Sequence, residues 1–462
     1  MLPNSSWYPV VFLGAAVIGC PLSGISQKST SEELRYYAKK SEAQAAVCTE
    51  ENFYKLEGVF PSEKVLVFGS AESGAAFGNA LVIPRDLPAW SEGAAEGFRN
   101  VHIECDSLLL MPFSSGTGGK PRCVKLTHRN YSAATAILKM ALFDKLVADS
   151  RRRTVAVLPF YHASGFWALL YCILEGCHSV IMKSFHPISM LEIIHKHQVD
   201  TLNVVPSIVS FLCRVDRNRF DLSSVKTVLC GSSPLGKELS NSFLEKFTSV
   251  QNLIQGYGMT EIVVLSHITP LGVVTGDHLG SCGRLLPGFE AQLRDENGEI
   301  ISTPHQPGEL YLKSPTVMLG YHDADDELNP FFDGWLRTGD VLYRDEDDFY
   351  YVVDRVKDLI KVNGIQVSSS ELEDVILMVP SVKEVGVVGI DDPGRGQVPK
   401  AFLVLDDSAD VEESIRSILA EVKARLSPDK QLHGGIELVA ELPKTSSGKV
   451  KRSELRKASH YL

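Results

Sequence analysis

The chain has 462 residues, 44% of them hydrophobic and 22% charged. That balance excludes a disordered or fibrous protein, and the length requires two or more domains. Its formal net charge of −11 argues against broad electrostatic binding of nucleic acid. The nine cysteines are odd in number with no C-x-x-C pair, which fits reduced thiols in a cytoplasmic protein rather than a disulfide frame or a zinc site.

Tyr8 to Cys20 is apolar but too short to cross a bilayer. No Lys or Arg precedes it, so the charged start of a secretion signal is missing, and it is read as a buried helix. No integral membrane segment is expected. Ser31-Glu32-Glu33-Leu34 reads as a helix start with Ser31 as the cap. Ala45–Cys48 and Lys64–Phe68 read as short buried strands, and the alternation predicts a parallel sheet flanked by helices. Pro84–Arg99 reads as a surface connection. The apolar run Leu108–Phe113 then leads into Ser114, Ser115, Gly116, Thr117, Gly118, Gly119 and Lys120. Glycines and hydroxyls after a strand can present N–H groups to a polyphosphate. The composition alone also suits a flexible linker, and the Walker spacing is not met. Thr154–Phe160 reads as a strand running into Tyr161-His162-Ala163-Ser164-Gly165, where a lone histidine is by itself more often structural. His195 and His197 fall in a surface helix over Leu191–Gln198.

Val225–Cys230 reads as a further strand, ending in Gly231-Ser232-Ser233-Pro234, and Lys237–Phe247 as an amphipathic helix. Val250–Ile254 follows as a strand, broken by the glycines of Gln255-Gly256-Tyr257-Gly258-Met259-Thr260-Glu261. Glycines at a strand end let the backbone turn and approach a ligand closely. Tyr257 offers a flat face for a base, Thr260 a hydroxyl for a phosphate oxygen, and Glu261 the hard carboxylate that Mg²⁺ prefers. A bare G-Y-G would be only a turn. Two strand C-termini converging here is where ligands sit in open α/β sheets. Farther on, Gly308–Leu312 and Leu319–Tyr321 read as hairpin material. A turn at Asp333-Gly334 precedes Trp335-Leu336-Arg337-Thr338-Gly339-Asp340, whose carboxylate suits two ribose hydroxyls. Asp354–Lys361 is dense in charge, as a connector would be. Strands over Val385–Ile390, Lys400–Leu405 and Gly435–Val439, with a helix over Val411–Leu426, complete the chain before Pro443-Lys444-Thr445-Ser446-Ser447-Gly448-Lys449.

These separated segments, from Ser114 to Lys449, occur in the order found in the acyl-adenylate-forming superfamily of acyl-CoA synthetases, 4-coumarate–CoA ligases and beetle luciferases. The chain resembles the 4-coumarate–CoA ligase-like branch. The resemblance implies an α/β fold: a large multi-sheet N-terminal domain with parallel α/β layers over 1–353, a hinge at 354–357, and a small mobile α+β C-terminal domain over 358–462. Met1–Ser5 resembles a point inside the family's first subdomain, so the N-terminal domain is expected to be shortened. The implied reaction joins a fatty or aryl acid to ATP as acyl-AMP, then to coenzyme A. The implied roles are phosphate binding by Ser114–Lys120, adenine contacts by Gly231–Ser233 and Gln255–Thr260, and Mg²⁺ at Glu261. Asp340 and Arg355 would hold the ribose, and His162 would border the carboxylate. Lys449 would meet carboxylate and α-phosphate, with Lys357 as the pivot and Lys361, Gly364 and Gln366 facing the second step. Gly118, Arg122, Cys123 and Ser370 depart from the family's usual Thr, Lys, Gly and Pro. Two other readings stand beside this one: a weak or inactive homologue kept for nucleotide or partner binding, and a luciferase-like oxygenase. The acyl group and oligomeric state stay open. The family includes peroxisomal members, but the chain ends His460-Tyr461-Leu462 rather than S-K-L.

Overall fold

Short apolar runs between helices pair in parallel. In the computed structural model the order is His178–Ile181, Arg153–Ala156, Thr201–Val204, Thr227–Cys230 and Asn252–Tyr257. The model describes all residues except 70–76, 84–85, 87–100, 115–120, 147–151, 216–218, 264, 273–277, 323–328, 364, 445–448 and 460–462. Antiparallel His267–Ile268 and Arg284–Leu285 extend this sheet beyond Asn252–Tyr257. Val155, Leu202, Val209, Val228 and Phe243 pack in a core with the helices Pro187–His197, Pro206–Arg214 and Lys237–Lys246. Near-continuous apolar strands are what a sheet covered by helices requires.

The strand expected to stop at Ile254 continues through Gly256 to Tyr257. Gly256 does not break it. A Cβ there would lie 2.8 Å from Leu265 Cδ2 and 3.2 Å from His267 O, so the glycine admits the antiparallel neighbour. The strand before His162 is shorter than expected and ends at Ala156. Beyond it Asn4 takes over: its Nδ2 donates to Leu158 O at 2.9 Å, and its Oδ1 accepts from Phe160 N at 2.8 Å.

A smaller parallel sheet joins Ala46–Thr49, Val65–Phe68 and Leu81–Ile83. The helix Ser31–Lys40 packs Leu34 against it, capped by Thr30 rather than Ser31. Thr30 Oγ1 accepts from Glu33 N at 3.2 Å while Glu33 Oε2 accepts from Thr30 N at 2.7 Å, a capping box. The helix Trp7–Val17 forms as expected but is not buried all round. Tyr8 and Phe12 pack inward on Phe160 and Phe166, while Val10, Leu13 and Val17 face outward, because only one side meets the core. The connection Pro84–Arg99 lies outside the described residues except Asp86.

Glu290–Arg294, Gly308–Lys313, Trp335–Arg344 and Tyr350–Arg355 form an antiparallel sheet. Asp333 and Gly334, at φ 50° and 75°, make the tight turn into Trp335. Leu319–Tyr321 is not a hairpin strand; it lies along Val124–Lys125, with Leu319 N donating to Lys125 O at 3.0 Å. The C-terminal sheet orders Ile365–Val367, Ile360–Val362, Gly396–Leu405 and Val382–Asp392, with Ile436–Leu438 parallel to Gly396–Leu405. The helices Ser369–Leu377 and Val411–Arg425 cover it over a core of its own, including Leu372, Val387, Leu403 and Ile418. The fold is thus a large multi-sheet α/β body with a smaller α+β unit. No helix among the described residues is long and apolar enough to cross a membrane.

Candidate active site

Pairing of Trp335–Arg344 with Tyr350–Arg355 sets Asp340 opposite Arg355. Arg355 Nε lies 3.2 Å from Asp340 Oδ1, and Tyr257 Oη donates to Asp340 Oδ2 at 2.7 Å. Ionised acceptors shorten and strengthen such bonds. Burial first, then the Asp340 charge, pushes the Tyr257 phenol well above its usual range, so it stays a donor. The ring that the sequence offers as a stacking face is only 8% exposed, and its hydroxyl is committed to Asp340.

Just past the strand, Thr260–Ile262 forms a single 3₁₀ turn that ends at Val263, φ 70° and ψ −61°. This is the rare γ-turn, which a β-branched residue adopts at a cost of about 1–3 kcal/mol. Tyr321 Oη donates to Glu261 Oε1 at 3.0 Å, and the Arg122 guanidinium stands 5.1 Å over the Tyr321 ring. Gly258, Met259 and Thr260 form a half-exposed lip. Gln255 faces the neighbouring strand end, where its Oε1 accepts from Leu235 N at 3.1 Å. Within that loop Ser232 is held at φ 74°, a strained conformation for a residue with a Cβ. Gly231 N donates to Val204 O at 3.2 Å, and Ser233 is exposed. Ser114 ends its strand buried, and its Oγ has no hydrogen-bond partner among the described residues. Ser115, Gly116, Thr117, Gly118, Gly119 and Lys120 lie outside them.

His162 is the N-cap residue of the helix Ala163–Leu174. The turn before it needs Gly165, where a Cβ would lie 2.1 Å from Pro159 O. Burial, then the positive charge of Lys449, lowers His162 to about 4, so the imidazole is neutral at neutral pH. Lys449 comes from the C-terminal unit. Burial and Arg355 pull its pKa down, and the nearby Asp340 and Glu261 hold it up. One cluster therefore gathers Tyr257, Glu261, Asp340, Arg355, His162 and Lys449: a phenol, two carboxylates, two cations and a neutral imidazole. Among the described residues no group of three or more His, Cys, Asp or Glu could hold a metal. Glu261 alone suits Mg²⁺, which is usually held by one or two carboxylates and shared with phosphate oxygens.

Lys361 and Gln366 pair across the first C-terminal hairpin and are exposed, with Gln366 Nε2 donating to Glu296 Oε1 at 2.6 Å. Neither joins the cluster, and Gly364 lies outside the described residues. Lys357 sits in a turn where Asp358 N and Leu359 N both donate to Arg355 O, at 2.9 and 3.0 Å. Arg456 Nη2 donates to Lys357 O at 3.3 Å and to Asp358 Oδ1 at 3.0 Å.

One contact between the units carries no sequence signal. A Cβ on Gly236 would lie 3.1 Å from Asp374 Oδ2. Burial, then Glu373 and Glu371, pushes Asp374 up to about 7. An exposed aspartate ionises near 4. Asp374 keeps solvent-exposed surface beside Gly236, so docking is only modestly stronger below about pH 4, where the acid is protonated, than above about pH 7. Asp374→Asn should flatten the pH dependence of docking between pH 5 and 8, read as the distance between a probe on each unit. An unchanged slope in the variant would place the titrating group elsewhere.

The family model described as AMP-binding enzyme matches residues 1–322, and that of the AMP-binding enzyme C-terminal domain matches residues 371–449. A probable 4-coumarate–CoA ligase 3 of Dictyostelium discoideum is 31% identical over 99% of this chain and 84% of its own. An anthranilate CoA ligase solved with anthranoyl-AMP superposes with a TM-score of 0.83 at 25% identity, over 99% of this chain and 86% of that one. An o-succinylbenzoate coenzyme A synthetase of Bacillus subtilis, solved with ATP and magnesium ion, gives 0.78 at 25% identity over 98% and 88%. The chain belongs to the AMP-binding enzyme family. Within it, the chain is of the 4-coumarate–CoA ligase and acyl-CoA synthetase type.

Proposed function

We propose that this chain is an AMP-forming acid–thiol ligase that activates a fatty or aryl carboxylic acid with ATP and passes the acyl group to coenzyme A. The observation that carries this reading is Asp340, held by Tyr257 and Arg355 within the charge field of Lys449. Asp340 accepts the two ribose hydroxyls beside Arg355. Gly231–Ser233 and Gln255–Thr260 line the base, and Ser114–Lys120 grips the β- and γ-phosphates. A carboxylate oxygen then attacks the α-phosphorus, the bond to pyrophosphate breaks, and pyrophosphate leaves with the electron pair. Lys449 offsets the charge that gathers on the α-phosphate, and neutral His162 borders the carboxylate without repelling Lys449. Mg²⁺ at Glu261 would add further neutralisation between the phosphates. In the second step the thiolate attacks the acyl carbon, the bond to AMP breaks, and AMP leaves. For this step the units, divided at 354–357, pivot about Lys357 to bring Lys361, Gly364 and Gln366 to the acyl group.

A panel of fatty and aryl acids tests the reading by ATP–pyrophosphate exchange, followed by mass detection of the CoA thioester. Exchange that needs both acid and ATP is expected. A protein that binds ATP but exchanges with no acid would be a binding homologue instead. Tyr257→Phe removes a hydrogen bond to a buried carboxylate, a contribution of about 1.5–3 kcal/mol. It should raise the KM for ATP roughly tenfold or more in the exchange assay. An unchanged KM would detach Asp340 from nucleotide binding.

A further inference from the structure

The helix that His162 begins ends in a Schellman motif. Glu175 N donates to Tyr171 O, Gly176 is left-handed at φ 67°, and Cys177 N reaches back to Cys172 O at 2.9 Å. A Cβ on Gly176 would meet nothing within 4 Å, so the turn conformation alone favours glycine there. In this motif the side chains at the two ends of the long return bond touch, and they are usually apolar. Here both are cysteines, so the return bond from Cys177 N to Cys172 O sets the two thiols side by side. Cys172 is buried and Cys177 partly exposed. Arg152 stands beside the pair, fixed by its Nη1 bond to Tyr171 Oη at 2.7 Å and its Nη2 bond to Phe143 O at 3.0 Å.

We propose that Cys172 and Cys177 are a peroxide-oxidisable dithiol that closes to a reversible disulfide without displacing the helix end. The charges divide the labour. The hydrogen bond from Cys172 and the charge of Arg152 lower Cys177 against its burial, Glu175 and Asp200. The hydrogen bond to Cys177 and burial raise Cys172, opposed by Ser179 and Arg152. Cys177 is therefore the more readily ionised of the two, and the thiolate is the nucleophile, with Cys172 the reserve. The Cys177 sulfur attacks one oxygen of hydrogen peroxide, the O–O bond breaks, and hydroxide leaves to take up a proton as water. Cys172 then loses its proton and attacks the Cys177 sulfenic acid, the S–O bond breaks, and a second water leaves. Two thiols are oxidised by two electrons and one peroxide is reduced to two waters. A dithiol reductant reverses the change.

The test uses the full reduced chain, hydrogen peroxide and peptide mass mapping, with the exposed Cys20 and Cys105 as internal controls. Both cysteines fall in the tryptic peptide 154–183. It should become lighter by two hydrogens at least about tenfold faster than Cys20 or Cys105 is oxidised, and reductant should restore it. Cys172→Ser should halt Cys177 at a sulfenic acid that dimedone traps, and Cys177→Ser should protect Cys172. Arg152→Met, folded by its melting curve, should slow alkylation of Cys177 several-fold. If the serine variants do not fold, alkylation of the unmodified chain at graded pH decides, since Cys177 must react at lower pH than Cys20. A peptide that stays reduced while Cys20 or Cys105 oxidises, or a Cys177 that alkylates no earlier than Cys20, overturns the proposal.

Discussion

Lys449→Ala is expected to lower ATP–pyrophosphate exchange by about 10²–10³-fold, while CoA thioester formation from supplied acyl-AMP stays within several-fold of the parent. The loss corresponds to about 2.7–4 kcal/mol, the usual consequence of removing one preorganised donor to developing charge. Lys449 comes to this cluster from the C-terminal unit, where burial and Arg355 lower its pKa and the charges of Asp340 and Glu261 oppose that lowering. On the proposed mechanism its task ends when pyrophosphate leaves. Removing it also relieves His162 of a neighbouring positive charge, so the pKa of His162 should rise from about 4, visible in its proton NMR titration. Equal losses in both half-reactions would take Lys449 out of the adenylation step.

A loss of similar size, confined to the second step, is expected from locking the two units together. A Cβ on Gly236 would lie 3.2 Å from the Asp374 carboxylate carbon, one bond from that residue's own Cβ. A disulfide needs its two Cβ atoms roughly 3.5–4.5 Å apart. The double variant Gly236→Cys with Asp374→Cys should therefore close on mild oxidation in the arrangement described above. Adenylation should survive within about tenfold, a barrier change near 1.4 kcal/mol. Overall thioester formation should fall by at least about 100-fold and return with reductant, because Lys361 and Gln366 are kept from the acyl group. The oxidised parent chain, with Cys172 and Cys177 intact, controls for every other thiol. If the two rates fall in parallel, no reorientation separates the steps. Proline at Lys357 is a poorer probe. That residue is the third position of the Arg355–Asp358 turn, where proline drives the preceding residue out of the helical region.

Several of these residues are legible in the sequence because their chemistry is local. Glycines, a hydroxyl and a carboxylate within Gln255–Glu261 identify a strand end built for a ligand, and the structure ends its strand at Tyr257. The buried strands were legible from their apolar runs, though a cap could be misplaced by one residue, as Thr30 and Ser31 show. What holds the site in place was not legible. Tyr257 meets Asp340 across 83 positions of chain, Tyr321 meets Glu261 across 60, and Asn4 steadies Phe160 across 156. No periodicity or spacing reports pairs so far apart. Asp374 beside Gly236 is no more legible, since it comes from the other unit and an acid on a helix reads in the sequence as a solvated face.

Asp354 has one more consequence. Its Oδ2 accepts from Ser369 N at 2.7 Å and Ser370 N at 3.3 Å, so a carboxylate on the last strand of the large unit caps the first helix of the small one. On the proposed pivot at Lys357, which lies between the two, turning would take the acid from Ser369 N and Ser370 N, while Ser368 Oγ keeps its own bond from Glu371 N. The freed N–H groups and the buried acid would then both have to find water. On that mechanism Asp354 would act as a detent, lengthening the dwell in one arrangement and with it the wait of an acyl-adenylate for its thiol.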